Sequence, residues 1–148
     1  MDNTATGRHL LVTGFFHPDF REKANDEVYL STLLNRLIKE VKMEILKPAQ
    51  MVTVDLSPED ASSPKDCGGV TGFTVGHAIL STSHVSIHTW PLHDRLSFDL
   101  YSCKDFDPHK VVSVLQDQLG LTGGVIHDVD RTPHPELKNE LRYIKVKS

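Results

Sequence analysis

Phe73-Thr74-Val75-Gly76-His77-Ala78-Ile79-Leu80, Ser81-Thr82-Ser83-His84-Val85-Ser86-Ile87-His88-Thr89-Trp90-Pro91 and, after four residues, Leu96-Ser97-Phe98-Asp99-Leu100-Tyr101 form the stretch that decides the fold. It reads as three strands in succession, Phe73 to Leu80, His84 to Trp90 and Leu96 to Tyr101. The small hydroxyl run Ser81-Thr82-Ser83 fits the turn between the first two. Connections this short favour antiparallel neighbours.

Upstream, the apolar run from His9 to Phe15 reads as a first strand, and His17 to Arg21 as a Pro-containing turn. From Asp26 to Val41, Leu30, Leu33, Leu34, Leu37 and Ile38 recur at threes and fours, which predicts an amphipathic helix capped by Asn25 or Asp26. Met43 to Leu56 reads as two strand pieces broken at Pro48, with Met51 and Thr53 alternating against Val52 and Val54. Ser57 to Gly69 is a long Ser-, Pro- and Gly-rich loop.

Downstream, Asp107 to Leu119 is a second amphipathic helix, with Pro108 in its first turn and Gly120 at its stop. Gly124 to Val129 is a further strand, and Pro133 to Lys147 a short helix or an edge strand. The order predicts one α+β domain over residues 1–148, a two-layer sandwich of a mainly antiparallel sheet with two main helices on one face.

The 148 residues suffice for one core without disulfide staples. A net charge of −4 with scattered Lys and Arg argues against nucleic acid as partner. No apolar run approaches the roughly 20 residues that span a bilayer, and Met1 to Gly7 lacks a signal-peptide pattern. The two cysteines, Cys67 and Cys103, do not make a disulfide framework, so the cytoplasm is the expected compartment.

Chemistry concentrates in the central stretch. Ser83 offers a hydroxyl nucleophile, His84 and His88 offer imidazoles, and Cys103 offers a thiol. No G-x-S-x-G elbow surrounds Ser83. His84 and His88 stand four apart on a strand, about 13 Å, too far for one metal ion, so no metal is expected. Phe15, Phe16, Phe73 and Trp90 are aromatics of the kind that fill cores or stack on planar ligands.

Ser83-His84-Val85-Ser86-Ile87-His88-Thr89-Trp90-Pro91, followed by Asp99-Leu100-Tyr101-Ser102-Cys103, resembles the core signature of the bacterial and archaeal S-adenosylmethionine decarboxylases. Gly7-Arg8-His9-Leu10-Leu11 resembles that family's opening, and Gly69-Val70-Thr71-Gly72 the approach to its cleavage site. The resemblance implies self-cleavage between Thr82 and Ser83, giving fragments 1–82 and 83–148 with a pyruvoyl group made from Ser83. That group would hold the substrate's amino group as a Schiff base and take up the electrons left when CO₂ departs. His88 would move protons during self-cleavage and Cys103 would reprotonate the product. Trp90, Phe73 and Thr74 are the expected substrate contacts, and a homodimer with sites near its interface is implied.

Thr13-Gly14 stands where an acidic residue is expected after the first strand's apolar run, and two further positions depart from the family pattern. Thr82 stands where a glutamate usually precedes the pyruvoyl serine. Leu92 stands where a glutamate is expected to bind the ribose hydroxyls of S-adenosylmethionine. Arginine or ornithine is therefore the alternative substrate, and a non-catalytic binding homologue the third reading.

Overall fold

The structure, a computed structural model, describes residues 7–54 and 72–145. Its strands are β1 (Arg8–Phe16), β2 (Ile45–Val54), β3 (Phe73–Leu80), β4 (Ser83–Trp90), β5 (Arg95–Ser102) and β6 (Leu121–Asp130). Its helices are α1 (Arg21–Ala24), α2 (Glu27–Glu40) and α3 (Pro108–Leu119). The six strands form one sheet in the order β2-β3-β4-β5-β1-β6, with each neighbouring pair antiparallel. The first strand thus enters between β5 and β6. This is the α+β architecture expected from the sequence, with α2 and α3 packed on one face.

Alternation sorts the sheet into two faces. Leu10, Val12, Val85, Ile87, Leu96, Phe98 and Leu100 point to the helices and are fully or almost fully buried. They meet Leu30, Leu33, Leu34 and Leu37 of α2 and Val111, Val114, Leu115 and Leu119 of α3 in one core. Burying each of these apolar side chains contributes about 1.5–3 kcal/mol relative to leaving it in water. The interleaved residues, among them His9, His84, His88, Trp90, Asp99 and Tyr101, face the side that the helices leave open.

Local chemistry sets the helix ends. Asp26, not Asn25, caps α2 by accepting from the amides of Val28 and Tyr29. Asp107 caps α3 ahead of Pro108, and Gly120 ends it at φ 60°. A Cβ at Gly120 would come within 2.5 Å of the Phe20 ring, so backbone freedom and close packing both require glycine there.

Four expectations are corrected. Ile45–Val54 is one strand, not two pieces. It lies at the sheet edge, where Pro48 needs no amide partner and register shifts on both sides of Lys47 absorb the irregularity. The turn after β1 winds into a 3₁₀ turn, Pro18–Phe20, and the short helix α1. Strand β6 runs three residues earlier than expected, from Leu121, because β1 pairs along the glycines as well. The segment after Pro133 forms only the 3₁₀ turn Pro135–Leu137 and is otherwise irregular through Lys145. Leu141, Tyr143 and Ile144 there stay exposed, so no packing drives a helix or strand. The long loop, Cys67 and most of the Gly69–Gly72 motif lie outside the described residues.

Candidate active site

Strand β4 carries the candidate chemistry at its two ends and on its two faces. Ser83 is its first residue, following the exposed turn Ser81–Thr82, and pairs with Leu80 on one side and Ser102 on the other. The register is continuous from Ser83 to Trp90, with no bulge. Ser83 therefore points to the helix side, beside the Met43 sulfur at 3.6 Å. His88, five residues on, points to the open side. The two are roughly 17 Å apart along the strand, at about 3.3 Å per residue. One protomer does not bring them together.

Around Ser83, hairpin geometry packs polar groups onto the Thr82–Ser83 bond. The Cys103 amide donates to the Thr82 carbonyl oxygen at 3.1 Å. The Thr82 hydroxyl lies 3.3 Å from Ser83 Oγ and 3.4 Å from Ser102 Oγ. Ser102 is fully buried and accepts from the Lys104 amide at 2.9 Å. Exposed Cys103 follows β5 directly, with its sulfur 3.6 Å from the Tyr101 hydroxyl. That contact is the main cause that raises the Tyr101 pKa above its ordinary 10.0. Arg131 lies over the Tyr101 ring at 4.7 Å and reaches His9, which in turn contacts Asp99 at 3.1 Å.

At the far end of the open face, Phe15, Arg95, Trp90 and Phe73 come from adjacent strands at matching register. His88 stacks on Trp90 at 3.9 Å and leans on Phe73 at 5.0 Å, and Arg95 lies 5.1 Å above Trp90. Burial, and then the Arg95 charge, hold the His88 imidazole below its ordinary pKa of 6.5, so it is neutral at neutral pH. Its Nε2 and the Trp90 Nε1 are buried without a hydrogen-bond partner among the described residues. Buried polar atoms left open in this way suit a group supplied from outside the protomer.

The structure thus brings Thr82, Ser83 and Cys103 together at one end, and Phe73, His88 and Trp90 at the other. Thr74 joins neither group. It is fully buried on the helix side, its hydroxyl engaged by Thr53 at 2.9 Å and Asn25 at 3.3 Å. Phe16 is core, whereas Phe15 is 54% exposed on the open face. Asp128 pairs with Arg8 at 2.7 Å, and Asp130 accepts from the Thr132 amide. Sequence reasoning gave no role to Ser102, Tyr101 or the Cys103 amide. Their parts follow from β4–β5 register, which no local signal announces.

Residues 14–132 match the family described as S-adenosylmethionine decarboxylase. The chain belongs to that family. It is accordingly a carboxy-lyase of the decarboxylase type. An arginine decarboxylase proenzyme of Aeropyrum pernix is 28% identical over 132 residues, covering 88% of each chain. An S-adenosylmethionine decarboxylase proenzyme of Clostridium botulinum is 30% identical over 115 residues, covering 77% of this chain and 84% of that one. The crystal structure of the adenosylmethionine decarboxylase from Aquifex aeolicus superposes with a TM-score of 0.62 at 21% identity, covering 91% and 98%, so the fold is shared. Among the described residues no helix is long and apolar enough to cross a membrane.

Proposed function

We propose that this family member cleaves itself between Thr82 and Ser83 and uses the resulting pyruvoyl group to decarboxylate S-adenosylmethionine. The observation that carries this reading is the Cys103 amide on the Thr82 carbonyl oxygen. Attack by Ser83 Oγ on that carbonyl puts negative charge on this oxygen, and an amide already aimed at it stabilises the charge where it develops. The resulting ester eliminates across Cα–Cβ of Ser83, releasing the Thr82 carboxylate, and hydrolysis of the dehydroalanine with loss of ammonia gives the ketone. A pyruvoyl ketone supplies the electron sink that decarboxylation needs. At that end of β4, the Cys103 thiol stands ready to deliver a proton to product, and the neighbouring Tyr101 hydroxyl fixes the sulfur.

His88 serves this chemistry across a dimer. A two-fold axis lying between stacked open faces, level with the middle of β4, sets the Trp90 end of one strand over the Ser83 end of the other. The partner's His88, with its open Nε2, then faces the Tyr101 and Cys103 side of that end, while Ser83 Oγ points to the helix side. The row Phe15, Trp90 and Phe73 offers flat surface suited to an adenine.

A second reading, arginine as substrate, is favoured by Leu92. It is 61% exposed in the 3₁₀ turn after Trp90 and offers no acceptor to ribose hydroxyls. Intact mass tests both readings at their base: the 16.6 kDa chain must be replaced by two fragments, the second blocked by a ketone. CO₂ release from S-adenosylmethionine, arginine and ornithine then separates substrates. Release from arginine alone overturns the first choice.

A further inference from the structure

Self-cleavage needs the Ser83 hydroxyl proton to leave Oγ and a proton to arrive on the departing peptide nitrogen. Among the described residues, Ser83 Oγ has two hydrogen-bonding neighbours, the Thr82 hydroxyl at 3.3 Å and the Met43 sulfur at 3.6 Å. A thioether is a weak acceptor that carries no proton onward. Thr82 is different. Its hydroxyl both accepts and donates, and it belongs to the residue whose own carbonyl is attacked.

Ser102 controls that hydroxyl. It sits opposite Ser83 across the β4–β5 pair, is fully buried, and accepts from the Lys104 amide at 2.9 Å. Its oxygen also lies 3.4 Å from Thr82 Oγ1, within reach of a hydroxyl–hydroxyl hydrogen bond. Thr82 is thereby anchored on one side and faces Ser83 on the other. The family position that usually carries a carboxylate carries a hydroxyl in this chain.

We propose that Thr82 is the proton shuttle of self-cleavage, held in place by Ser102. This rests on the self-processing reading above and assigns the proton transfers of the acyl shift itself to Thr82, apart from any later step served by His88. As Ser83 Oγ bonds to the Thr82 carbonyl carbon, its proton passes to Thr82 Oγ1. The proton of Thr82 passes to the Ser83 nitrogen as the carbon–nitrogen bond breaks. Thr82 ends with the proton count it began with, the products are an ester and an amine, and no further reactant is needed. Ser102 is a positioning residue, acting through Thr82.

The test follows cleavage of freshly expressed chain by intact mass, with and without hydroxylamine, which cuts the ester but not a peptide bond. T82V keeps the shape of Thr82 and removes the hydroxyl. It is expected to slow cleavage by about tenfold or more and to leave no ester for hydroxylamine to cut. T82S restores the hydroxyl and is expected to cleave within about threefold of the parent, while S102A falls between, as expected when an anchoring hydrogen bond is lost. Parent-like cleavage in T82V overturns the shuttle, as does T82S as slow as T82V, or hydroxylamine-sensitive ester in T82V at the parent's level. A parent chain that itself stays uncut overturns the self-processing reading and the shuttle with it. Matching melting curves for T82V and T82S confirm that the comparison is made between folded chains.

Discussion

The amide of Cys103 and the carbonyl of Thr82 are joined by a 3.1 Å hydrogen bond that ties the end of β5 to the turn before β4. One residue thereby has two separable parts in the proposed reaction: its backbone amide on the Thr82 carbonyl and its thiol beside the Tyr101 hydroxyl.

Replacing Cys103 with alanine separates them. C103A keeps the amide, so the chain is expected to cleave within about threefold of the parent. With the thiol as the proposed proton donor removed, decarboxylation is expected to fall by about a hundredfold or more. Intact mass reads the first and CO₂ release the second. Loss of cleavage in C103A means that the thiol, not the amide, drives processing.

His88 makes stability depend on pH with a definite sign. Burial and Arg95 lower its folded pKa from the ordinary 6.5. Between these values the unfolded chain binds more protons, so stability is complete above about 6.5 and is lost as the pH falls below it. The melting temperature is expected to drop between about pH 7.5 and about pH 5.5, and to drop less in H88Q. Replacing Arg95 with glutamine removes a like charge and should move the His88 imidazole resonance to titrate higher. An unchanged titration in R95Q rejects the electrostatic cause.

Thr89 is fully buried, and its hydroxyl donates to the Ala24 carbonyl at 2.5 Å, fastening α1 to the sheet. T89V leaves that carbonyl without its donor. Denaturant unfolding is expected to show a loss of about 1–3 kcal/mol, with cleavage before Ser83 preserved because the change lies at the other end of β4. A loss below about 0.5 kcal/mol means that water satisfies the carbonyl.

A substitution at Leu92 tests the choice of substrate. L92E places a carboxylate on the exposed turn after Trp90. If a nucleoside sits there, KM for S-adenosylmethionine is expected to fall by about tenfold, the worth of a hydrogen bond of roughly 1.4 kcal/mol, with KM for arginine unimproved. Equal effects on both substrates place Leu92 outside the pocket.

Much of the fold was legible before any coordinates. Helices α2 and α3 announced themselves because apolar residues at threes and fours, bracketed by Asp26, Asp107 and Gly120, admit little else. The hairpins β3–β4 and β4–β5 were legible because their connections are too short for other pairings. The edge position of β2 was not, and Pro48 misled for that reason: proline breaks an interior strand and is tolerated at an edge, and local sequence does not say which strand is the edge. Thr74 and Phe73, expected together as substrate contacts, face opposite sides of β3 because neighbouring strand residues alternate, and only packing decides which side is core.

By itself the sequence determined the two main helices, most strands, the core stripes and the set of reactive side chains, because these follow from periodicity and from the chemistry of Ser83, His88 and Cys103. Tertiary structure alone decided which of them meet. Strand pairing across β4 and β5 put the Cys103 amide and the Ser102 hydroxyl onto the Thr82–Ser83 bond. The same continuous register sent His88 to the opposite face, because alternation along an unbroken strand separates any two residues an odd number apart.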